Sequence, residues 1–184
     1  ASSTKPNMLI PRLQAAMRDP NSLVRQAAMD ALASLGSSAK GATTALVNSL
    51  DDKDAAVQLS AIRAIGKLES DDSVLAERLA GILDGAGTDL RLAVVESLGG
   101  FRKLPSIAVK RLVGVLEVKH TATQSAAFDA LAKLGPEAKP ALSALNQAVG
   151  HADSGVRASA LNALTKVETD DGKLLALLKP ALRD

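Results

Sequence analysis

Apolar residues recur along this chain every 33 residues, and no insertion breaks the register. One column of the repeat holds leucine in every unit: Leu13, Leu46, Leu79, Leu112, Leu145 and Leu178. A second column is equally apolar and consists of Leu32, Ile65, Leu98, Leu131 and Leu164. A fixed interval of this length is typical of tandem repeats in which each unit buries its apolar face against its neighbours.

Within each unit, the apolar positions follow two stripes with a helical period, separated by a polar turn. In the first unit Leu13 and Met17 share one face, and Ala28, Leu32 and Leu35 share the next. Each unit is therefore predicted to be a hairpin of helix A followed by helix B. Helices A are expected near 6–18, 39–50, 72–83, 105–117, 138–149 and 171–182. Helices B are expected near 21–35, 54–68, 87–101, 120–134 and 153–167.

The turn residues agree with this division. Asn21, Asp54 and Asp153 precede predicted B helices and offer side-chain oxygens to their first amides. Gly36 and Gly135 follow B helices, where glycine commonly ends a helix. The predicted fold is one all-α domain over 1–184, an α-solenoid of about five hairpins plus a terminal helix, roughly 50 Å long. Its units lie near 6–36, 39–69, 72–102, 105–135 and 138–168, with a half-unit at 171–184.

Composition narrows the range of functions. Hydrophobic residues make up 47% of the chain but aromatic residues only 1%, so the core must consist of aliphatic side chains and alanine. The absence of cysteine excludes disulfides and thiolate metal sites. A net charge of +2 is too balanced for a strong nucleic-acid or membrane field. No apolar run is long enough for a membrane span or signal peptide, so a soluble protein is expected, in the cytoplasm or outside it.

Three segments carry a family resemblance. Segment 19–36, DPNSLVRQAAMDALASLG, and segment 156–164, VRASALNAL, resemble helix B of a HEAT repeat. Segment 134–145, LGPEAKPALSAL, resembles the turn and helix A of the short HEAT type named after bilin-lyase proteins, which many bacterial chains carry. The resemblance covers nearly the whole chain and implies an armadillo-like stack with its B helices on the concave face. The ankyrin and tetratricopeptide signatures of similar period are absent.

The resemblance also implies a ladder in which an arginine of helix B contacts the aspartate that precedes helix B. Arg25 and Arg157 match the arginine position. Gln58 and Gln124 occupy the same position in other units. We therefore expect the ladder to be interrupted.

The candidate partner site lies on the side of helix B opposite the core. One column there is mainly acidic and contains Asp30, Arg63, Glu96, Asp129 and Asn162. The adjacent column is basic and contains Lys67, Lys133 and Lys166. Leu59 and Leu92 are predicted to be exposed beside them, with a half-buried position at the seam between units as the alternative. Either this surface binds a protein or peptide, or its charges neutralise each other and no partner binds.

Other functions receive less support. The basic residues of 102–119, namely Arg102, Lys103, Lys110, Arg111 and Lys119, offer a nucleic-acid surface without the aromatic side chains that usually accompany one. A role as an accessory protein of the bilin-lyase type is a further alternative. No catalytic motif occurs, so neither an enzyme nor a cofactor is predicted.

The isolated polar features are expected to serve the fold. The carboxylate pairs at 51–52, 71–72 and 170–171 are predicted to cap helices. His120 and His151 are predicted to be solvated turn residues, because no further ligands complete a metal site.

Two regions differ from the rest of the array. Glycines concentrate in and around the third unit, at 81, 85, 87, 99, 100 and 114, which predicts a flexible joint there. Pro180 is expected to end the last helix. That last half-unit is either a cap or the edge of a longer array. A monomer is expected, with end-to-end association as the alternative.

Overall fold

A computed structural model describes residues 4–179, which form α-helices joined by short turns with no strand among them. The helices are α1 Thr4–Ala16, α2 Ser22–Leu35, α3 Thr43–Ser49, α4 Ala55–Gly66, α5 Ser73–Ile82, α6 Thr88–Leu98, α7 Ser106–Val115, α8 Thr121–Leu134, α9 Leu142–Ala148, α10 Ser154–Val167 and α11 Asp171–Leu178. The predicted effect of Pro180 lies outside the described residues. None of the described helices has the length and hydrophobicity that a bilayer span requires.

The predicted hairpins are present, and α2, α4, α6, α8 and α10 are the B helices. Each of these packs on the next, so the described chain is an α-solenoid, as predicted. Two A helices differ from expectation, because those predicted at 39–50 and 138–149 begin as 3₁₀ helices over Gly36–Ala42 and Gly135–Ala141. Gly36 and Gly135 turn the chain at φ values of 54° and 55°, and the tight helical turns follow directly.

The core lies where the two apolar columns predicted it. The B-helix column Leu32, Ile65, Leu98, Leu131 and Leu164 is fully buried. The A-helix column is fully buried at Leu46, Leu79, Leu112 and Leu145. These leucines fill the space between each A helix and the B helices beside it.

A further buried column was not predicted. Met29, Ile62, Val95 and Phe128 are at most 1% exposed, whereas Leu161 at the same position in α10 is 36% exposed. Leu161 is exposed because no B helix follows α10 among the described residues. In the other units, the next B helix of the stack therefore buries this column.

The side of helix B that faces the preceding unit shows the reverse pattern, because its exposed residue lies in the first unit rather than in the last. Val57 and Val156 are buried, but Val24, which has the same position in the first unit, is 39% exposed. No unit precedes the first one among the described residues, so nothing covers Val24 there.

Side-chain caps fix where the B helices begin. Asn21 accepts a hydrogen bond from the amide of Leu23 at 2.9 Å, and Asp54 accepts one from Ala56 at 2.9 Å. Asp153 accepts a hydrogen bond from the amide of Val156 at 3.0 Å. These bonds satisfy amides that have no partner within the helix, and each one stabilises the start of its own B helix.

Candidate functional site

An open hollow of about 450 Å³ lies on the B-helix face between α4, α6 and α8. Its rim is formed by Arg63 of α4, Lys67 at the C-terminal cap of α4, Glu96 of α6 and Lys133 of α8. The structure therefore brings four of the ten predicted site residues together from three consecutive units. Positions 33 residues apart are neighbours here because the B helices stack directly on one another.

The charges around this hollow do not neutralise each other in ion pairs. Arg63, Lys67, Glu96 and Lys133 are exposed. The ion pairs found among residues 4–179 join other residues, namely Arg25 with Asp52, Arg78 with Asp51 and Arg111 with Asp84. Three cations and one carboxylate thus give the rim a local excess of positive charge that an incoming group can reach.

The floor of the hollow is backbone rather than side chain. A Cβ atom added to Gly100, in the turn after α6, would lie 2.0 Å from the carbonyl oxygen of Gly66 at the end of α4, so this turn approaches α4 closely only because residue 100 is glycine. A Cβ atom on Gly66 would lie 2.7 Å from Cα of Ser97. The Ser97 hydroxyl, itself buried, donates a hydrogen bond of 2.7 Å to the carbonyl of Ile62 and ties α6 to α4.

Sequence reasoning missed these floor residues, although the repeat register carries a signal for them. Ser97 occupies a column that is otherwise alanine: Ala31, Ala64, Ala130 and Ala163. A single hydroxyl in a column of small core residues indicates a specific hydrogen bond between helices.

The other predicted polar residues lie on the same face but outside the hollow. Asp30 is on α2, Asp129 on α8, and Asn162 and Lys166 on α10, and all four are exposed. They extend the polar surface towards both ends of the B-helix stack.

The prediction that Leu59 and Leu92 are exposed was wrong, because both are half-buried. They lie three residues before Ile62 and Val95, which are buried against the next B helix. Residues three apart share a helix face, so these leucines line the seam between units, the alternative left open by the sequence.

Both histidines line a second hollow of about 580 Å³ between the turns of the fourth and fifth units. His120 is half-buried rather than fully solvated, and its Nδ1 accepts from the amide of Thr123 at 3.3 Å. His151 is exposed, and its Nδ1 accepts from the amide of Asp153 at 3.0 Å. Among the described residues no group of three or more potential ligands could hold a metal ion.

The basic residues of 102–119 do not share one hollow. Lys110 and Arg111 line a third hollow of about 420 Å³, whereas Lys119 lines the hollow that contains the histidines. Arg111 is paired with Asp84 at 2.9 Å.

The ladder of arginines is interrupted, as predicted. Arg25 donates two hydrogen bonds of 2.8 Å to Asp52, and this interaction lowers the pKa of the Asp52 carboxyl. Arg91 and Arg157 instead donate to backbone carbonyls of the turns beside them. The glutamines at this position do the same: Gln58 donates to Asp52 O and Gln124 to Leu116 O.

The prediction that the carboxylate pairs cap helices holds for two of the three. Asp72 caps α5 and Asp170 caps α11. Asp51 and Asp52 were wrongly assigned as caps, because they pair with Arg78 and Arg25 of the neighbouring units. Asp54, two residues later, caps α4 in their place.

Comparisons with known proteins agree with this architecture. Residues 10–99 match the family model of HEAT repeats. No curated protein matches the chain. Among solved structures, the complex of CpcE and CpcF of phycocyanin lyase from Nostoc sp. PCC7120 is similar with a TM-score of 0.71 and 21% identity, covering 99% of this chain and 76% of that one.

Engineered repeat proteins are also similar. A designed armadillo repeat protein in complex with the peptide (KR)4 has a TM-score of 0.67 and 21% identity, covering 94% of this chain and 87% of that one. An engineered protein solved by a structural genomics consortium has a TM-score of 0.69 and 21% identity, covering 94% of this chain and 84% of that one. At these identities the likeness establishes the fold.

Proposed function

Because residues 10–99 match the family model of HEAT repeats and the described chain stacks as an α-solenoid, we propose that it is a non-enzymatic module that binds a protein or peptide on its B-helix face. Repeat solenoids present extended surfaces of this kind and are commonly protein-binding scaffolds. The observation that carries the proposal is the hollow rimmed by Arg63, Lys67, Glu96 and Lys133, whose charges have no ion-pair partner among residues 4–179.

The rim favours a partner segment of mixed charge. Acidic side chains of the partner fit Arg63, Lys67 and Lys133, and a basic side chain fits Glu96. The glycine floor keeps the surface low at its centre, so an extended segment can lie across α4, α6 and α8 without displacing side chains. The designed armadillo protein that this chain resembles binds a peptide as well, which supports this mode of binding.

The charge-reversing variant Arg63→Glu/Lys67→Glu tests the proposal. A partner is first captured from the source organism with the wild-type protein, identified and purified, and its affinity for the variant is then titrated. We expect at least tenfold weaker binding, because two favourable contacts become repulsive, which corresponds to about 1.4 kcal/mol or more. Helicity by circular dichroism should not change, because both residues are exposed.

The control is Lys40→Glu/Lys139→Glu, which makes the same change of charge on exposed residues of the A-side 3₁₀ helices. It should leave the affinity unchanged. Equal affinities for the wild type and both variants would move the binding site away from the B-helix face.

A second candidate function rests on the similarity to CpcE and CpcF, which covers 99% of this chain. It is that of an accessory protein of the bilin-lyase type. Incubation with a tetrapyrrole and a candidate acceptor protein tests it directly. A coloured covalent adduct that forms only in the presence of this chain favours this candidate, and an unchanged spectrum favours the interaction module.

A further inference from the structure

Ion pairs between neighbouring units follow one sequence spacing. Arg25 and Asp52 are 27 residues apart, and so are Asp51 and Arg78. Asp84 and Arg111, which pair at 2.9 Å, have the same spacing. The repeat therefore brings a residue and the one 27 positions later to the same seam between units.

Arg91 breaks the pattern in which arginine and acid occur together. It occupies in the third unit the position that Arg25 has in the first, but the residue 27 positions later is Val118. In the other units, each arginine of this column has an acid 27 positions later, as in Arg25 with Asp52 and Arg157 with Asp184. Each glutamine has a residue that is not an acid, as in Gln58 with Gly85 and Gln124 with His151.

A hollow of about 420 Å³ lies at the seam between the third and fourth units, and both Arg91 and Val118 line it. Arg91 is half-buried and donates to the carbonyl of Ala86 at 2.6 Å. It forms no ion pair with any acid among the described residues. Lys110 adds an exposed cation, and Asp84 and Arg111 line the same hollow as an ion pair. Ile107, which is 42% exposed, adds an apolar wall.

We propose that this seam hollow binds a carboxylate side chain of a partner protein, which takes the place that Asp52 takes at the first seam. The first seam shows the geometry, because Arg25 holds both carboxylate oxygens of Asp52 at 2.8 Å. A guanidinium matches a carboxylate in this paired arrangement, and half-burial strengthens the interaction. An apolar residue beside the acid packs against Ile107 and Val118.

The walls distinguish this occupant from a nucleic acid. Leu83, Ile107, Val115 and Val118 make much of the lining apolar. A phosphate backbone has no apolar group to place against such walls, whereas a protein segment with alternating acidic and apolar residues does. This site does not rest on the B-helix hollow, which lies at different residues.

The test uses a fluorescein-labelled octapeptide of alternating glutamate and leucine, and a twin in which glutamine replaces glutamate. Fluorescence anisotropy should show binding of the acidic peptide and at least tenfold weaker binding of the twin. Arg91→Gln should weaken the acidic peptide at least tenfold. This variant places at 91 the residue that the chain already has at Gln58 and Gln124, so the fold is retained.

Val118→Asp provides a second, opposite variant. It supplies a carboxylate from within the chain, which should pair with Arg91 as Asp52 pairs with Arg25 at the first seam. The acidic peptide should then no longer bind. Arg157→Gln, which makes the same change of residue in another unit, should retain the affinity.

Three results would overturn the proposal. One is the absence of binding by the acidic peptide, or equal binding by its neutral twin. Another is an affinity that Arg91→Gln leaves unchanged. The third is that a single-stranded DNA oligonucleotide displaces the peptide from the wild type and does not bind to Arg91→Gln. This result would show that the site binds phosphate instead.

Discussion

At the scale of single residues, the ion pair of Asp52 with Arg25 makes the stability of the first two units depend on pH. The hydrogen bond from Arg25 lowers the pKa of Asp52 in the folded protein below its usual value. The stabilisation by this pair is therefore complete above the unfolded pKa, about 3.9, and is lost as the pH falls through the lower folded pKa.

Asp52→Asn tests this coupling. The variant should be less stable than the wild type at neutral pH, because the charge partner of Arg25 is gone. The difference should shrink as the pH falls through the lowered pKa of Asp52, because the wild-type carboxyl becomes protonated there as well. Urea unfolding at neutral pH and at a series of acidic pH values measures this difference, and a difference that does not change with pH would contradict the role of the ion pair.

The glycines of the middle units have different physical roles, although the sequence presents them as one group. Gly100→Ala places a Cβ atom 2.0 Å from the Gly66 carbonyl, so the turn after α6 and the end of α4 must separate. We expect a loss of about 1–3 kcal/mol or more, as for overpacked cores.

Gly114→Ala is the matched opposite case. Nothing lies within 4 Å of the added Cβ atom, and residue 114 is inside α7. The change should raise stability by up to about 1 kcal/mol through helix propensity alone. Denaturant midpoints of the two variants should move in opposite directions, and shifts of the same sign would contradict the assignment of Gly100 to close packing.

At the scale of helices, the sequence predicted the rim of the hollow but not its floor. Arg63, Lys67, Glu96 and Lys133 follow from helical periodicity, because charged columns opposite an apolar stripe face outwards. The floor depends on how closely α4 and α6 approach. That distance follows from Gly66 and Gly100 together, and no single-helix pattern contains it.

The same limit explains the column that the sequence missed. A helical wheel drawn for a single hairpin gives helix B one apolar face, towards helix A. In the stack, helix B has a further buried side, where Met29, Ile62, Val95 and Phe128 meet the next B helix. Periodicity marks these residues as apolar, but only the stacking direction shows which side of the helix they cover.

Glu69, two residues after the C-terminal cap Lys67 of α4, offers a test of helix termination. Glu69 adopts φ of 49°, whereas the same position in the first and fourth units is Gly36 and Gly135, with φ of 54° and 55°. A positive φ is costly for a residue with a Cβ atom. Glu69→Gly should therefore raise the free energy of unfolding by roughly 0.5–1 kcal/mol, measured by chemical denaturation. A decrease would show that the glutamate side chain contributes more than the backbone strain costs.

At the scale of the whole molecule, each unit contacts mainly its neighbours, so local stability can differ along the stack. The third unit combines Gly81 within α5 with Gly85, at φ of 90°, in the following turn. Hydrogen exchange should show the amides of α5 opening before those of α8 and α10. Uniform protection along the solenoid would contradict a flexible joint there.

We propose that the exposed columns of the B helices, rather than the A-helix side, contact the partner. A photo-crosslinking amino acid placed at Lys67, on the rim of the hollow, or at Lys40, on the A side, tests it with the purified partner. We expect covalent adducts from position 67 and none from position 40. Adducts from position 40 alone would contradict it.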